Sequence, residues 1–456
     1  MSFPRDTIVA PATPPGVSAL AVVRVSGPAV ADVLRLILVG FSSQSNMKPR
    51  FMTRANAVHP MSGELIDDLL YCFFPGPKSY TGEDLLELFP HGNPILVRQL
   101  VEAVRSVPGV RLALPGEFTR RAFEAGKLDL VQAEAIGQLL HATMESSLTN
   151  ARKLLQGKLS GKIHDLTAAV KRISAMLELE VDFAEEEADA DQAGWLAQVQ
   201  DVQERILDLM KCFRSQALTN RTPSVVFYGA PNAGKSSLVN ALLQDDRLLV
   251  SPRAGTTRDV VEVLLLLDQG EVRLLDTAGI SEHPVDELDA ASQVKARATI
   301  GQGDLPILLL DASLLDAERS EAMLAEARAQ GHWVLWTKAD LCKNKSAVPM
   351  LPEDLLVSAQ NGQGIPELLQ RLGERLFPPH ESAEEFWITS ERQQDSLREA
   401  AQSVAHALAM LQLGRQAPEE LAFELALVRK SLESITGQIS TDDILDVIFR
   451  GFCIGK

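Results

Sequence analysis

Cysteine is scarce in this chain. Its four residues, Cys72, Cys212, Cys342 and Cys453, lie more than a hundred positions apart, and no Cys-x-x-Cys pair occurs. That spacing argues against a disulfide framework and a zinc site, and points to a reducing cytoplasm. Long apolar runs are also missing. Segments such as 263–267 and 307–310 are strand length, far short of the roughly 18 apolar residues of a membrane span. The first residues, Met-Ser-Phe-Pro-Arg-Asp, contain no apolar signal-peptide core. Positive charge is in deficit as well: 44 Lys and Arg stand against 61 Asp and Glu, a net charge of −17. Such a surface disfavours non-specific nucleic-acid binding as a whole but leaves room for a local basic patch. What is present, 46% hydrophobic and 23% charged residues in 456 positions, suits a soluble globular protein of about three domains.

The first stretch, 1–118, alternates short β-rich runs with turn signals. Strands are expected over 19–25, 69–74 and 84–89, the first closed by Ser26-Gly27-Pro28 and the second by Pro75-Gly76-Pro77. Helical spacing over 29–38 and 95–104 completes a small α+β domain. From about Glu117 to Leu218 the pattern is helical. Leu155, Leu159, Ile163, Leu166, Val170, Ile173 and Leu177 step by three or four residues along one apolar stripe. The acidic stretch Glu185-Glu186-Glu187 with Asp189 and Asp191 interrupts the pattern and reads as a solvated turn. Sustained helical character is then lost until about Phe386, and returns over 397–413 and 421–435. An α/β segment is thus inserted in an all-helical region, giving domains 1–118, 119–220, 221–378 and 379–456.

The inserted segment carries the chemistry. An apolar strand, Val225-Val226-Phe227-Tyr228, runs into Gly229-x-x-x-x-Gly234-Lys235-Ser236, and Leu238, Ala241 and Leu242 continue at helical spacing. That is the context of a phosphate-binding loop, whose glycines turn backbone N–H groups toward an anion at a helix N-terminus. Lys235 would reach the β- and γ-phosphates, and Ser236 would bind Mg²⁺. Alone, the same residues could form a glycine-rich turn with a solvated lysine. Downstream come Gly255-Thr256-Thr257-Arg258-Asp259, a strand over 260–267, and a second strand ending in Asp276-Thr277-Ala278-Gly279. A threonine of the first switch can place its hydroxyl on the Mg²⁺ ion, Asp276 would hold that ion through water, and the Gly279 amide can sense the γ-phosphate. Two more strands lead into Thr337-Lys338-Ala339-Asp340 and Ser358-Ala359-Gln360. Asp340 offers only acceptors, so it pairs with the N1–H and N2–H₂ edge of guanine and rejects adenine. In this order and spacing the motifs form the pattern of a Ras-like P-loop GTPase domain.

Two departures stand out. Thr337 occupies a position where such domains usually carry asparagine. A hydroxyl donates one hydrogen bond where an amide makes two or three, an expected weakening of about 1 kcal/mol that leaves guanine choice with Asp340. Ile280 follows Asp276-Thr277-Ala278-Gly279 where many GTPases place a water-orienting glutamine, so transition-state charge must be stabilised otherwise. Asn232 is placed to help bind a monovalent cation beside the phosphates; as an isolated residue it is equally an ordinary turn former.

These loops, together with several segments outside them, resemble the tRNA-modification GTPases of the MnmE or TrmE family. The segments are Thr7-Ile8-Val9-Ala10 with Ala12-Thr13-Pro14-Pro15-Gly16, Ser79-Tyr80-Thr81-Gly82-Glu83-Asp84, and Pro115-Gly116-Glu117-Phe118-Thr119. Lys127-Leu128-Asp129-Leu130, Gln132-Ala133-Glu134-Ala135 and the terminal Cys453-Ile454-Gly455-Lys456 extend the likeness over essentially the whole chain. The resemblance implies an N-terminal folate-binding and dimerisation domain, a helical domain and a GTPase domain inserted into it. It implies a homodimer that acts with an FAD-dependent partner of the MnmG/GidA type, as a heterotetramer. Together they add an aminomethyl or carboxymethylaminomethyl group at C5 of the wobble uridine of certain tRNAs. The carbon comes from 5-formyl- or methylene-tetrahydrofolate.

Carried onto this sequence, the resemblance implies K⁺ ligands at Asn232, Ser251, Arg253 and Thr256, and Mg²⁺ ligands at Ser236 and Thr257. The guanine-nucleotide set adds Ala233, Gly234, Lys235 and Ser237, then Pro252, Ala254 and Gly255. It continues through Asp276, Thr277, Ala278 and Gly279, then Thr337, Lys338, Ala339 and Asp340, and closes on Ser358, Ala359 and Gln360. Asn232, Lys235, Thr257 and Asp276 are the catalytic set. Folate contacts fall on Arg24, Glu87, Lys127 and Lys456, residues that would otherwise read as solvated charges. A cationic trio with a carboxylate suits folate, with its anionic tail and its donor-edged pterin. Cys453 is either a small buried hydrophobe or a thiol near the transferred carbon. An acid/base glutamate of the second switch is expected, but Glu282, Glu287 and Asp289 are equal candidates. The alternative is a GTPase of the ribosome-assembly or regulatory type, whose flanking regions carry no folate chemistry.

Overall fold

The computed structural model describes residues 6–39, 48–182, 192–213, 222–230, 232–243, 262–276, 300–301, 303–314, 317–342, 348–377, 386–413, 418–439 and 442–456. The chain forms two compact units, one of residues 1–140, 150–214 and 386–456, the other of 141–149 and 215–385.

The first unit begins with β1 (Thr7–Pro11), β2 (Ser18–Leu20), β3 (Val23–Ser26), α1 (Val30–Ile37), β4 (Thr53–Val58), β5 (Leu65–Phe74), β6 (Leu85–Phe89), β7 (His91–Gly92), α2 (Pro94–Arg105) and β8 (Val110–Leu112). Six strands make one sheet in the order β4-β5-β6-β3-β1-β8, antiparallel except for β1 against β8. Side chains alternate across it. Val9, Val23, Val25, Leu86 and Leu88 join the core that includes Val33, Leu34, Leu100 and Val104 of α1 and α2. Their neighbours Ile8 and Ala10 pack on the other face with Ala113, Phe118 and Tyr80. Arg24 and Glu87 are opposite one another in the β3–β6 register and out of phase with the core valines and leucines, which puts both on that second face. The single strand expected over 19–25 is in fact two, because β2 leaves the sheet to pair with β7.

Helices follow: α3 (Glu117–Glu124), α4 (Leu130–His141), α5 (Glu145–Leu155), α6 (Lys158–Asp182) and α7 (Gln192–Lys211). Leu159, Ile163, Leu166, Val170, Ile173 and Leu177 of the expected stripe are buried along α6. Leu155 ends α5 instead, because Gly157, at φ +82°, turns the chain between the two helices. The acidic stretch 185–191 lies outside the described residues.

The second unit holds β9 (Ser224–Gly229), α8 (Lys235–Leu243), β10 (Glu262–Leu267), β11 (Gly270–Asp276), β12 (Leu305–Asp311), α9 (Ala317–Ala329), β13 (Trp333–Thr337), β14 (Leu355–Leu356) and α10 (Ile365–Leu376). Its sheet runs β10-β11-β9-β12-β13-β14 and is parallel apart from the β10–β11 pair. Strand β9 is buried throughout, as a central parallel strand covered on both faces must be. The order reverses at β9, and a crevice at the carboxyl ends of the strands is where such sheets bind ligands. Helices α9 and α10 correct the expectation that helical character lapses before Phe386. Ile365, Leu368 and Leu372 of α10 form a short buried stripe, too brief to stand out beside the long helices.

The chain then returns to the first unit with α11 (Glu391–Gln412), α12 (Pro418–Thr436) and α13 (Asp442–Arg450). Helices α6, α7, α11 and α12 pack as a bundle around a shared aliphatic core. The ends of the insertion meet: Phe213 and Ile388 form a parallel bridge, and the Ile388 N–H donates to the Cys212 carbonyl at 2.9 Å. Adjacent ends let an independent unit be inserted without disturbing its host. No helix among the described residues is long and apolar enough to cross a membrane.

Candidate functional site

The loop after β9 is shaped by backbone fit. Gly229 has φ +149°, and a Cβ on it would lie 2.4 Å from the Leu309 carbonyl oxygen, so a side chain is excluded. Asn232 adopts φ +65° and Gly234 φ +90°, and the Ala233 N–H between them donates to the Ala230 carbonyl at 3.2 Å, closing a tight left-handed turn. Lys235 is buried, and its ammonium donates to the carbonyls of Gly229 at 2.9 Å and Ala230 at 3.0 Å. The cation is therefore held over the loop, while Ser236 and Ser237 are exposed on the first turn of α8.

A second loop meets the first. Thr337 ends β13, fully enclosed, with its hydroxyl 2.7 Å from the Ala233 carbonyl oxygen and 3.1 Å from that of Leu310. Lys338, at φ +57°, pairs with Asp311 at 2.6 Å. Burial pushes the Asp311 carboxyl up, but Lys338 and the N–H and hydroxyl of Ser313 outweigh it and hold the group below the usual range. The Ser358 hydroxyl donates to Asp340 at 2.5 Å and accepts from the Gln360 N–H at 3.2 Å. Gly234, Ser237, Thr337, Lys338, Asp340, Ala359 and Gln360 converge on one cavity of about 430 Å³. Asp311 had no place in the sequence reading, although a carboxylate closing the apolar strand β12 is a visible signal. Asp276 closes β11 beside Phe227 of β9. Ser251, Pro252, Arg253, Ala254, Gly255, Thr256, Thr257, Thr277, Ala278, Gly279, Ile280, Glu282, Glu287 and Asp289 lie outside the described residues.

The first unit has its own cluster. Arg24 donates through Nε at 3.1 Å and Nη2 at 2.8 Å to one oxygen of Glu87, and through Nη1 at 3.3 Å to the Gly455 carbonyl. Gly455 sits at φ +95°, where a Cβ would lie 2.0 Å from the Pro11 carbonyl oxygen. The last residues thus lie against β1, bringing Lys456 to the cluster. The carbonyl of exposed Cys453 accepts from the N–H groups of Gly116 and Lys456, each at 3.4 Å. Lys127 is exposed and passes beside Gly82. Beneath, Glu117 and Arg121 are buried in a network with Arg111, Asp6 and Glu83.

A phosphate loop and a base-reading loop at the carboxyl edge of a largely parallel sheet define a P-loop GTPase. The rest of the chain narrows the class. Residues 7–127 match the family profile described as the GTP-binding protein TrmE N-terminus, and residues 130–453 that of the MnmE helical domain. The tRNA modification GTPase MnmE of Stutzerimonas stutzeri is 38% identical, covering 99% of this chain and 99% of its own. The protein of that name from Syntrophus aciditrophicus is 35% identical, over 99% and 100%. The chain belongs to the MnmE family of tRNA modification GTPases. Among solved structures, the G domain of the T. maritima FeoB iron transporter is 23% identical, covering 34% of this chain and 99% of its own, with a TM-score of 0.27. Aquifex aeolicus Era is also 23% identical, over 40% and 67%, with a TM-score of 0.29.

Proposed function

We propose that this protein is a K⁺-dependent GTPase of the cytoplasm. As a homodimer joined to an FAD-dependent partner of the MnmG type, it adds an aminomethyl-type group to C5 of the wobble uridine of certain tRNAs. The reading keeps the division of the chain at residues 118, 220 and 378. The observation that carries it is the coexistence, in one chain, of a guanine-nucleotide cavity and the Arg24–Glu87–Gly455 cluster far from it in sequence.

In the first, Lys235 stands where β- and γ-phosphates would pass, and Asp340, oriented by Ser358, offers its free acceptor capacity to guanine. Mg²⁺ would be held by Ser236 and Thr257, and K⁺ by Asn232, Ser251, Arg253 and Thr256. Asn232 is exposed on its turn, as a cation ligand at that loop would need to be. A bound K⁺ would supply the transition-state charge that Ile280 cannot help to organise. In the second, Arg24 and Lys456 suit the carboxylates of a tetrahydrofolate tail, Glu87 suits the donor edge of a pterin, and Lys127 adds charge at the rim. The folate supplies the carbon; the chain's residues bind and orient it.

The test is nucleoside analysis of tRNA from cells lacking the gene. Loss of the C5 modification at the wobble uridine, restored by this chain and not by an Arg24→Gln variant, is the expected result. Unaltered wobble uridines would favour a switch GTPase without folate chemistry.

A further inference from the structure

Two signature segments, Ser79 to Asp84 and Pro115 to Thr119, contribute none of the four ligand positions of the folate reading, yet in the fold they meet over one guanidinium. The Arg24 Cζ atom lies 5.4 Å from the centre of the Tyr80 ring and 5.7 Å from that of Phe118. Each ring is fixed. The Tyr80 hydroxyl is 2.9 Å from that of Thr119, and Phe118 is fully buried against Ile8, Ala10 and Ala113. The loop bearing Tyr80 is held by Glu83, which accepts from Ser26 at 2.9 Å and from Arg121 at 3.0 Å.

Arginine loses much rotamer freedom when held in one pose, and an aromatic face is a favourable surface on which to hold it. Here both rings lie within cation–π reach of the guanidinium while its N–H groups donate to Glu87 and to the carbonyl of Gly455. We propose that Tyr80 and Phe118 are positioning residues that set the Arg24 guanidinium against Glu87 and the C-terminal tail, and so preorganise the site for an anionic reduced folate. The proposal rests on the folate reading above.

The test uses the full chain and 5-formyltetrahydrofolate, with calorimetric titration of wild type, Tyr80→Phe, Tyr80→Leu, Arg24→Gln and the Tyr80→Leu/Arg24→Gln double variant. Tyr80 is only half-buried, so leucine can be accommodated; melting midpoints confirm it, and Tyr80→Met repeats the test if leucine lowers them. Loss of the ring is expected to weaken binding about tenfold. Tyr80→Phe keeps the ring and stays within about twofold of wild type. The double variant should bind no more weakly than Arg24→Gln alone, because Tyr80 acts through Arg24. Losses that multiply in the double variant, or wild-type affinity in Tyr80→Leu, would overturn the proposal. Wild-type protein that binds no tetrahydrofolate would overturn the folate reading itself, a failure seen before any substitution is made.

Discussion

The hydroxyl of Thr337 lies 2.7 Å from the carbonyl oxygen of Ala233, which ties the loop proposed to read the base to the loop proposed to hold the phosphates. Threonine therefore supplies a link between the two halves of the nucleotide site. Thr337→Val keeps the shape and removes the donor, leaving a buried carbonyl less well satisfied. GTP affinity should fall about fivefold, the equivalent of roughly 1 kcal/mol. Thr337→Asn should bind at least as tightly as wild type. Fluorescent nucleotide titration decides both, and unchanged affinity in Thr337→Val would show that the link is idle.

The buried network gives a pH signature. Burial pushes the Glu117 carboxyl up, but hydrogen bonds from Arg111, the Leu114 N–H and Arg121 outweigh it and hold the group below its ordinary 4.5. A carboxylate depressed in the fold takes up more protons on unfolding, so its stabilisation is complete above pH 4.5 and is lost as pH falls below it. Glu117→Gln takes one carboxylate from Arg111 and Arg121, which keep Asp6 and Glu83 as partners, and should cost about 2 kcal/mol at neutral pH. Amide exchange of β1 and β8 in the intact chain reads the loss locally. The variant should also show less acid sensitivity than wild type as the pH falls below 4.5.

How much of this was legible in the sequence follows from the range of each interaction. The phosphate loop and Lys338-Ala339-Asp340 are local patterns, and they predict strands and turns that the fold contains. Arg24 and Glu87, 63 positions apart, pair only once β3 and β6 lie side by side. Tyr80 and Phe118 were visible as motif members, but their shared contact with Arg24 depends on the second face of the sheet. Asp311 was missed because its partner Lys338 comes from the neighbouring strand's end. The α6 stripe was overextended to Leu155 because a glycine at an unmarked position breaks it.

Gly455 offers a backbone test of the C-terminal tail. Any side chain there collides with the Pro11 carbonyl, so Gly455→Ala should displace the tail. Trypsin should then cut faster after Arg450, and tetrahydrofolate should bind more than about tenfold more weakly, as expected when a charge-assisted contact of up to about 3 kcal/mol is lost. Wild-type proteolysis and wild-type affinity together would mean that the tail does not need this fit.

Hydrolysis should depend on the cation. At matched ionic strength, GTP turnover in K⁺ should exceed that in Na⁺ by at least about tenfold, since focused charge at the transition state is worth several kcal/mol. Asn232→Ala should abolish the difference. Equal rates in both salts would remove the cation from the mechanism and require charge stabilisation from a partner.

The most direct measurement follows the carbon. Purified protein, the proposed flavin-dependent partner, unmodified tRNA, GTP and an amine donor are incubated with tetrahydrofolate labelled in its one-carbon unit, and the tRNA is digested to nucleosides. The account predicts label at C5 of the wobble uridine, dependent on GTP hydrolysis and lost in Arg24→Gln. Modified uridine without label, or label that appears equally without GTP, would contradict it.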